Sequence, residues 1–266
     1  MIESIKIVVP TLNTYLILPR LINSLKKQTW RNWNLLFVDG KSNKEHFKWL
    51  NNICKNNLNL KIIKQEEKFK GIYGAMNQGY KTIKDNEWIL FWGSDDWAIS
   101  SDAFEKIVFK VNSYKDKFDL VVCKGKYINN KSKKVTRLSY FIKNRVSKIL
   151  NRTTFRKMLF NGMTPPHQST LFSKRAFEKL SYFSDDLKLA SDLDYFLEFS
   201  RIKDISVLVI DDELVNMSNN GISSQKNILR LKEVLFSYKK SFGLLFFFPF
   251  ISRYLRKGFI KFLRKL

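Results

Sequence analysis

The chain has 266 residues, 44% hydrophobic and 15% aromatic, with 23 Phe. That composition excludes a disordered polymer, a collagen-like chain and a coiled coil, and leaves room for one large domain or two small ones. Of the net charge of +24, 22 fall in two segments: residues 120–177 hold 14 Lys and Arg and no acid, and the stretch after Glu233 holds eight more and no acid. A basic face for anionic lipid or a phosphorylated substrate is expected, rather than the uniform charge of a nucleic-acid binder. Cys54 and Cys123 are too few for a disulfide scaffold and lack metal-ligand spacing, which fits a reducing compartment.

In chain order, Ile5–Val9 is a short apolar strand ended by Pro10. It is too short for a signal peptide and lacks a basic lead. No stretch reaches the ~18 apolar residues of a membrane span, so a cytosolic protein, or one attached to a cytosolic surface, is expected. Leu16–Gln28 has helical spacing, with Pro19 tolerable in the first turn. Leu35–Val38 is a second strand, stopped by Asp39-Gly40; Phe47–Cys54 reads as a helix and Leu60–Ile63 as a third strand. Tyr73–Ile83 is helical, Trp88–Trp92 is a fourth strand, Ala103–Val111 is a helix and Leu120–Cys123 is a fifth strand. Apolar strands alternating with helices predict a parallel sheet covered on both faces, with ligands at the carboxyl ends of the strands. Residues 126–165 show no regular period. Beyond them Gln168–Phe172 and Ile205–Ile210 read as strands, and Asp192–Arg201 and Ile228–Tyr238 as helices. No repeat or flexible linker divides the chain.

Three constellations carry chemistry. Ser94-Asp95-Asp96 follows the fourth strand, where adjacent carboxylates repel and lose hydration unless a cation or donors meet them. A divalent ion shared with a diphosphate is one use; an Asp capping the helix near Ser101 is the other reading. Gly71 to Gly79 is a Gly-rich helix entry, either close backbone approach to a ligand or a plain loop with Tyr73 and Met76 as core. Asp192 and Asp194 lie about 200° apart on a helix, so they cannot both face one site. His167 follows Pro165-Pro166; a lone His is more often structural, and the only other one is His46.

Together these residues resemble a known family. Val8-Val9-Pro10-Thr11-Leu12-Asn13, Ser24 to Thr29, Phe37-Val38-Asp39-Gly40-Lys41-Ser42, Gly71-Ile72-Tyr73 with Ala75-Met76-Asn77 and Gly79, Gly93-Ser94-Asp95-Asp96, Pro166 to Phe172 and Asn220 to Ser224 stand in the order seen in bacterial family-2 glycosyltransferases. The subgroup that looks most similar makes O-antigen, capsule and exopolysaccharide. The resemblance covers residues 4 to about 235. It implies an α/β, GT-A fold: a Rossmann-like, mostly parallel sheet with flanking helices. Residues 1–125 would form the nucleotide-sugar half, 126–235 the acceptor half, and 236–266 a basic tail.

The resemblance further implies an inverting, metal-assisted hexosyl or related transfer, from a nucleotide-sugar donor to a lipid-linked glycan. Pro10, Thr11, Asn13, Asp39, Gly71, Asn77 and Asp95 fall at donor positions, and Asp96 at the metal position for Mg²⁺ or Mn²⁺. Asp192 stands at the catalytic base, with Asp194 in reserve, and His167 and Gln168 are placed toward the acceptor. Ser191, Phe69, Gly74 and Lys44 stand where the subgroup carries acids. The rival readings are a basic nucleic-acid-binding protein, which no motif supports, and a nucleotidyltransferase, whose first-loop signature Pro10–Tyr15 lacks. Finally, Phe242–Ile251 is apolar, and Ser252–Leu266 on a helix separates Leu255, Phe259, Phe262, Leu263 and Leu266 from a basic face. That pattern predicts peripheral attachment to the inner face of the cytoplasmic membrane; a tail packed on its own domain is the alternative.

Overall fold

The apolar runs and helical repeats of the first half build the sheet that the sequence predicts. β1 (Ser4–Thr11), β2 (Trp33–Asp39), β3 (Leu60–Lys64) and β4 (Glu87–Phe91) alternate with α1 (Leu18–Lys26), α2 (Lys44–Lys55) and α3 (Gly71–Tyr80). The computed structural model describes residues 1–129, 131–143, 147–219 and 227–263. Pro19 sits in the first turn of α1, where its missing N–H breaks no helical bond. Asn43 caps α2 by accepting from the His46 backbone N–H at 2.9 Å. Next come β5 (Trp97–Ala98), α4 (Ala103–Asn112), β6 (Leu120–Ile128), β7 (Val135–Ser139), β8 (Lys148–Asn151), α5 (Arg152–Phe160) and β9 (Thr170–Ser173). α6 (Lys174–Lys179), α7 (Ser191–Phe199), β10 (Ser206–Ser218), α8 (Asn227–Phe242) and α9 (Phe247–Leu263) complete the order.

The ten strands form one sheet in the order β3-β2-β1-β4-β9-β6-β10-β5, with β7 added to β6 and β8 to β10. β1 pairs in parallel with β2 and β4, β2 with β3, and β6 with β10. The chain moves outward from β1 to β3 and returns to the other side of β1 as β4. The carboxyl ends of β1, β2 and β4 therefore flank a switch point, where a crevice opens. Strand alternation divides the core. Ile7, Val9, Leu35, Phe37 and Leu90 pack with α1, α2 and α4; Val8, Leu36, Val38, Ile89 and Phe91 pack with α3, α5, α7 and α8. Aromatic rings fill the second layer, as where Phe183 stacks on Tyr195 at 4.5 Å.

The second half departs from the sequence reading. β9 lies antiparallel between β4 and β6, so the fifth predicted strand is not the neighbour of the fourth. The expected Gln168–Phe172 strand is a 3₁₀ turn at His167–Ser169 followed by β9. β10 runs 13 residues, well past Ile210. Asp211, Asp212 and Glu213 continue it because Lys124, Lys110 and Lys126 neutralise them in turn. Residues 126–165 contain β7, β8 and α5. Their pattern is faint because β7 is largely exposed and α5 buries only Phe155 and Leu159 among its basic residues.

The tail is folded onto the domain. The Glu233 carboxylate accepts from the backbone N–H groups of Lys188, Leu189 and Ala190 at 2.7–2.9 Å. After Gly243, whose φ of +55° turns the chain, α9 comes back beside α5. There the Ser252 hydroxyl donates to the Asn161 carbonyl at 2.8 Å, and Arg253 bonds Thr164. The sequence shows no unbroken apolar run of span length, yet the helical path Ile228–Arg256, 29 residues, contains a window long and apolar enough, by length and composition, to cross a membrane. Its polar residues are spaced widely enough to leave an apolar window, though the turn at Gly243 interrupts the path. The 235/236 boundary lies within α8. Asn220–Ser224 and the side chains of Phe259, Phe262, Leu263 and Leu266 lie outside the described residues.

Candidate active site

The ends of β1 and β2 are bonded into one wall of the crevice. Thr11 Oγ1 donates to Asp39 Oδ1 at 3.2 Å, and the Ser42 hydroxyl donates to the same oxygen at 2.6 Å. The Gly40 N–H reaches the Thr11 carbonyl at 2.8 Å. Asn13 takes φ +54°, which aims its side-chain oxygen at the Asn43 N–H, 2.8 Å away. The Pro10 carbonyl accepts from the Ser94 hydroxyl at 3.1 Å, which joins this wall to the end of β4. Pro10, Thr11, Asn13 and Asp39 are thus brought together.

His46, which the sequence reading left without a role, braces the same wall from below. It is fully buried on α2. Its Nδ1 accepts from the backbone N–H groups of Thr14 and Tyr15 at 3.1 and 3.0 Å. The ring proton therefore sits on Nε2, 3.3 Å from Asp39 Oδ1. Burial lowers its pKa against the opposing charge of Asp39, so the ring is neutral at pH 7. No sequence signal separated this His from a solvated one.

Beyond β4, Asp95 and Asp96 converge. A Cβ placed on Gly93 would lie 2.8 Å from Asp95 Oδ1 and 3.3 Å from Asp96 Oδ2. The Gly93 N–H donates to Asp96 Oδ2 at 2.7 Å. Burial, then the charge of Asp95, pushes the Asp96 carboxyl well above its ordinary range. Burial also raises Asp95, with a backbone N–H, Ser218 and Arg20 opposing. A buried carboxylate and a half-buried one that repel each other suit a divalent cation that completes its shell with phosphate oxygens. No group of three or more His, Cys, Asp or Glu ligands forms among the described residues, so such an ion would depend on its ligand for further donors.

Across the crevice, Asp192 opens α7, where the helix dipole favours a carboxylate. His167 Nδ1 lies 3.3 Å from Asp192 Oδ2, and the Tyr73 hydroxyl donates to Oδ1 at 3.5 Å. Burial alone would raise this carboxyl. The hydrogen bond and charge of His167, the Leu193 N–H and the charge of Arg253 outweigh it and hold Asp192 below its ordinary range. Its side chain stays 25% exposed, enough to meet a ligand. Trp92 Nε1 donates to the Gln168 carbonyl at 2.8 Å, which ties the turn bearing His167 to the end of β4. Tyr127 lies within electrostatic reach of both acidic groups. Burial raises its pKa first; Arg137 opposes, and the charges of Asp96 and Asp192 both add to the rise. The Arg137 guanidinium lies 3.9 Å from the Tyr127 ring centre. Tyr127 and Arg137 join the site from β6 and β7, where no motif marks them, and Tyr73 joins it from the Gly71–Gly79 segment.

Two expected residues face elsewhere. Asn77 holds the Phe183 backbone with both ends of its amide, at 2.6 and 2.7 Å, so it secures the segment before α7. Asp194 is buried and paired with Lys240 at 3.0 Å, so it fastens α7 to α8. Gly71 starts α3 at φ +66° and is exposed. At Gly74 any side chain would meet the Phe69 backbone at 2.5 Å, which accounts for the missing acid there.

A sheet that reverses its strand order beneath an acidic crevice is the architecture of nucleotide-binding α/β proteins. Within that class, residues 6–181 match glycosyl transferase family 2, and the chain belongs to this family. A PGL/p-HBAD biosynthesis glycosyltransferase of Mycobacterium bovis (strain BCG / Pasteur 1173P2) is 34% identical over 101 residues, 38% of this chain and 39% of that protein. The chain therefore spans 39% of the length of this curated relative. TarS of S. aureus, solved in complex with UDP-GlcNAc, superposes with a TM-score of 0.68 at 17% identity, over 90% of this chain and 68% of that one. Mannosyltransferase PcManGT from Pyrobaculum calidifontis, in complex with GDP-Man and Mn²⁺, gives 0.60 at 13% identity, over 90% and 64%. These likenesses establish the GT-A fold, as the motif order implied.

Proposed function

We propose that the protein is a glycosyltransferase that moves a hexosyl or related sugar from a nucleotide-sugar to an acceptor hydroxyl with inversion. The observation that carries this reading is the convergent Asp95–Asp96 pair together with the His167-braced Asp192, with the charges of Asp96 and Asp192 both reaching Tyr127. Asp192 accepts the acceptor proton. Its low pKa keeps it ionised at neutral pH, and His167 fixes its orientation, so its contribution is a positioned base. Thr11, Asn13 and Asp39 hold the base and ribose, and Arg137 adds positive charge beside the leaving diphosphate. Mg²⁺ or Mn²⁺ fits at Asp96 with Asp95 and, when bound, supplies charge neutralisation to the diphosphate. Residues 1–125 form the donor half and 126–235 the acceptor half. The complexes of TarS with UDP-GlcNAc and of PcManGT with GDP-Man support the donor class.

The acceptor in this reading is a lipid-linked glycan of surface polysaccharide synthesis, met at the inner face of the cytoplasmic membrane. Support comes from the outer side of the tail: Leu244 is 88% exposed and Leu255 67%, with Leu245, Phe247, Phe248 and Ile251 exposed between them. The test is incubation with a panel of UDP- and GDP-sugars, Mn²⁺ and lipid-diphosphate acceptors, followed by NMR of the product anomer. An inverted linkage supports the proposal. A retained one, or turnover of no nucleotide-sugar, contradicts it.

A further inference from the structure

We infer that the corner between α5 and the α8–α9 turn is a binding site for the phosphate headgroup of an anionic membrane phospholipid. The inference rests on the reading of the tail as membrane-facing and adds a specific site to it. A cavity of about 420 Å³ is lined by Arg152, Thr153, Arg156, Lys157, Phe160 and Phe242. Three of those six residues are cations and none is an acid.

The cations divide by how they are held. Arg156 is fixed: it donates to the Ser200 hydroxyl at 3.0 Å and the Ser241 carbonyl at 2.8 Å, and lies 4.6 Å over the Phe242 ring. Arg152 and Lys157 are exposed at the mouth and have no ion-pair partner among the described residues. Burial and the charges of Arg201 and Arg152 lower the Arg156 pKa, against Glu198, so an anion here would relieve a real electrostatic cost.

The cavity's apolar wall selects the kind of anion. Phe160 contacts Phe242 at 5.1 Å and Phe248 at 6.2 Å, ring centre to ring centre. Phe248 belongs to the exposed apolar surface with Leu244 and Leu245. A ligand seated on the arginines thus has an apolar surface beginning at its edge. A phospholipid uses both features, with phosphate on Arg152, Arg156 and Lys157 and acyl chains against the α8–α9 corner. A soluble phosphate uses only the first.

The test is co-sedimentation of the full chain with phosphatidylcholine vesicles, with and without phosphatidylglycerol, at physiological salt. Arg152→Gln with Lys157→Gln should weaken binding to the anionic vesicles about tenfold or more. Lys131→Gln with Lys133→Gln, an equal charge loss at the exposed β6–β7 turn, should change it less than about twofold. Unaltered melting temperatures and donor hydrolysis in both variants would show that fold and donor site are intact. Equal losses in the two variants, or no loss in the first, would overturn the site and leave membrane attachment standing. Failure of the wild-type chain to bind anionic vesicles would overturn both. Glycerol 3-phosphate should not stabilise the protein; a rise in Tm that the double variant loses would assign the site to a soluble phosphate and overturn the lipid assignment.

Discussion

The two halves of the crevice are built in opposite ways. The wall proposed to hold the donor is local: residues 10–15, 39–46 and 93–96 leave adjacent strand ends and bond to one another, with His46 closing the network from beneath. The wall proposed to meet the acceptor is assembled from afar. Asp192, Tyr73, His167, Tyr127 and Arg137 come from five separate elements or turns, and Arg253 of the tail supports the loop before His167. A site of the first kind should lose function mainly through residues that touch ligand. A site of the second kind should also respond to residues that position them.

The largest expected effect is on the donor side. Asp96→Ala removes half of the convergent carboxylate pair at the β4 end, and Mn²⁺-dependent turnover should vanish in a sugar-transfer assay. Near-wild-type rates would remove the metal from the account. Asp192→Asn should lower kcat by about 10²-fold or more while leaving donor affinity in place. Asp194→Asn should leave kcat within a few-fold and lower Tm, because it removes the nearer of the two carboxylates that meet Lys240; the reverse ranking would exchange the roles of the two acids.

The next effect separates positioning from contact. His167→Gln removes the leading influence that holds the Asp192 carboxyl down, and burial then acts against Tyr73, the Leu193 N–H and Arg253 alone. The pKa must rise, so the acid limb of the kcat–pH profile should move to higher pH. In wild-type protein that limb should lie below the ordinary carboxylate range, with activity falling as pH drops through it. An unmoved limb would separate His167 from Asp192. The smallest effect belongs to the donor wall's own brace. His46→Gln should raise the donor KM about tenfold or less with kcat little changed, a loss of ground-state binding; a fall in kcat alone would contradict that role.

The same contrast explains what the sequence disclosed. The first half is legible because β1, β2 and β4 are mostly apolar runs closed by polar residues, so Pro10, Thr11, Asn13, Asp39, Asp95 and Asp96 can be placed at strand ends. The second half is partly hidden. β10 continues through three acids only because lysines from α4 and β6 meet them, and α5 shows two buried residues among its charges. Asn77 stands at a donor position by resemblance and Asp194 is the reserve base beside Asp192, but the Phe183 backbone and Lys240 occupy them, contacts 106 and 46 residues away in the chain. His46 was invisible because its burial depends on the Thr14–Tyr15 loop folding over it.

The most direct test is calorimetric titration of nucleotide-sugars into the wild-type chain, Asp96→Ala and Asp192→Asn, with Mn²⁺ and with a chelator. The account predicts Mn²⁺-dependent binding of one nucleotide-sugar class to the wild-type chain and to Asp192→Asn, and none to Asp96→Ala. Equal binding by Asp96→Ala, or binding unaffected by the chelator, would contradict it.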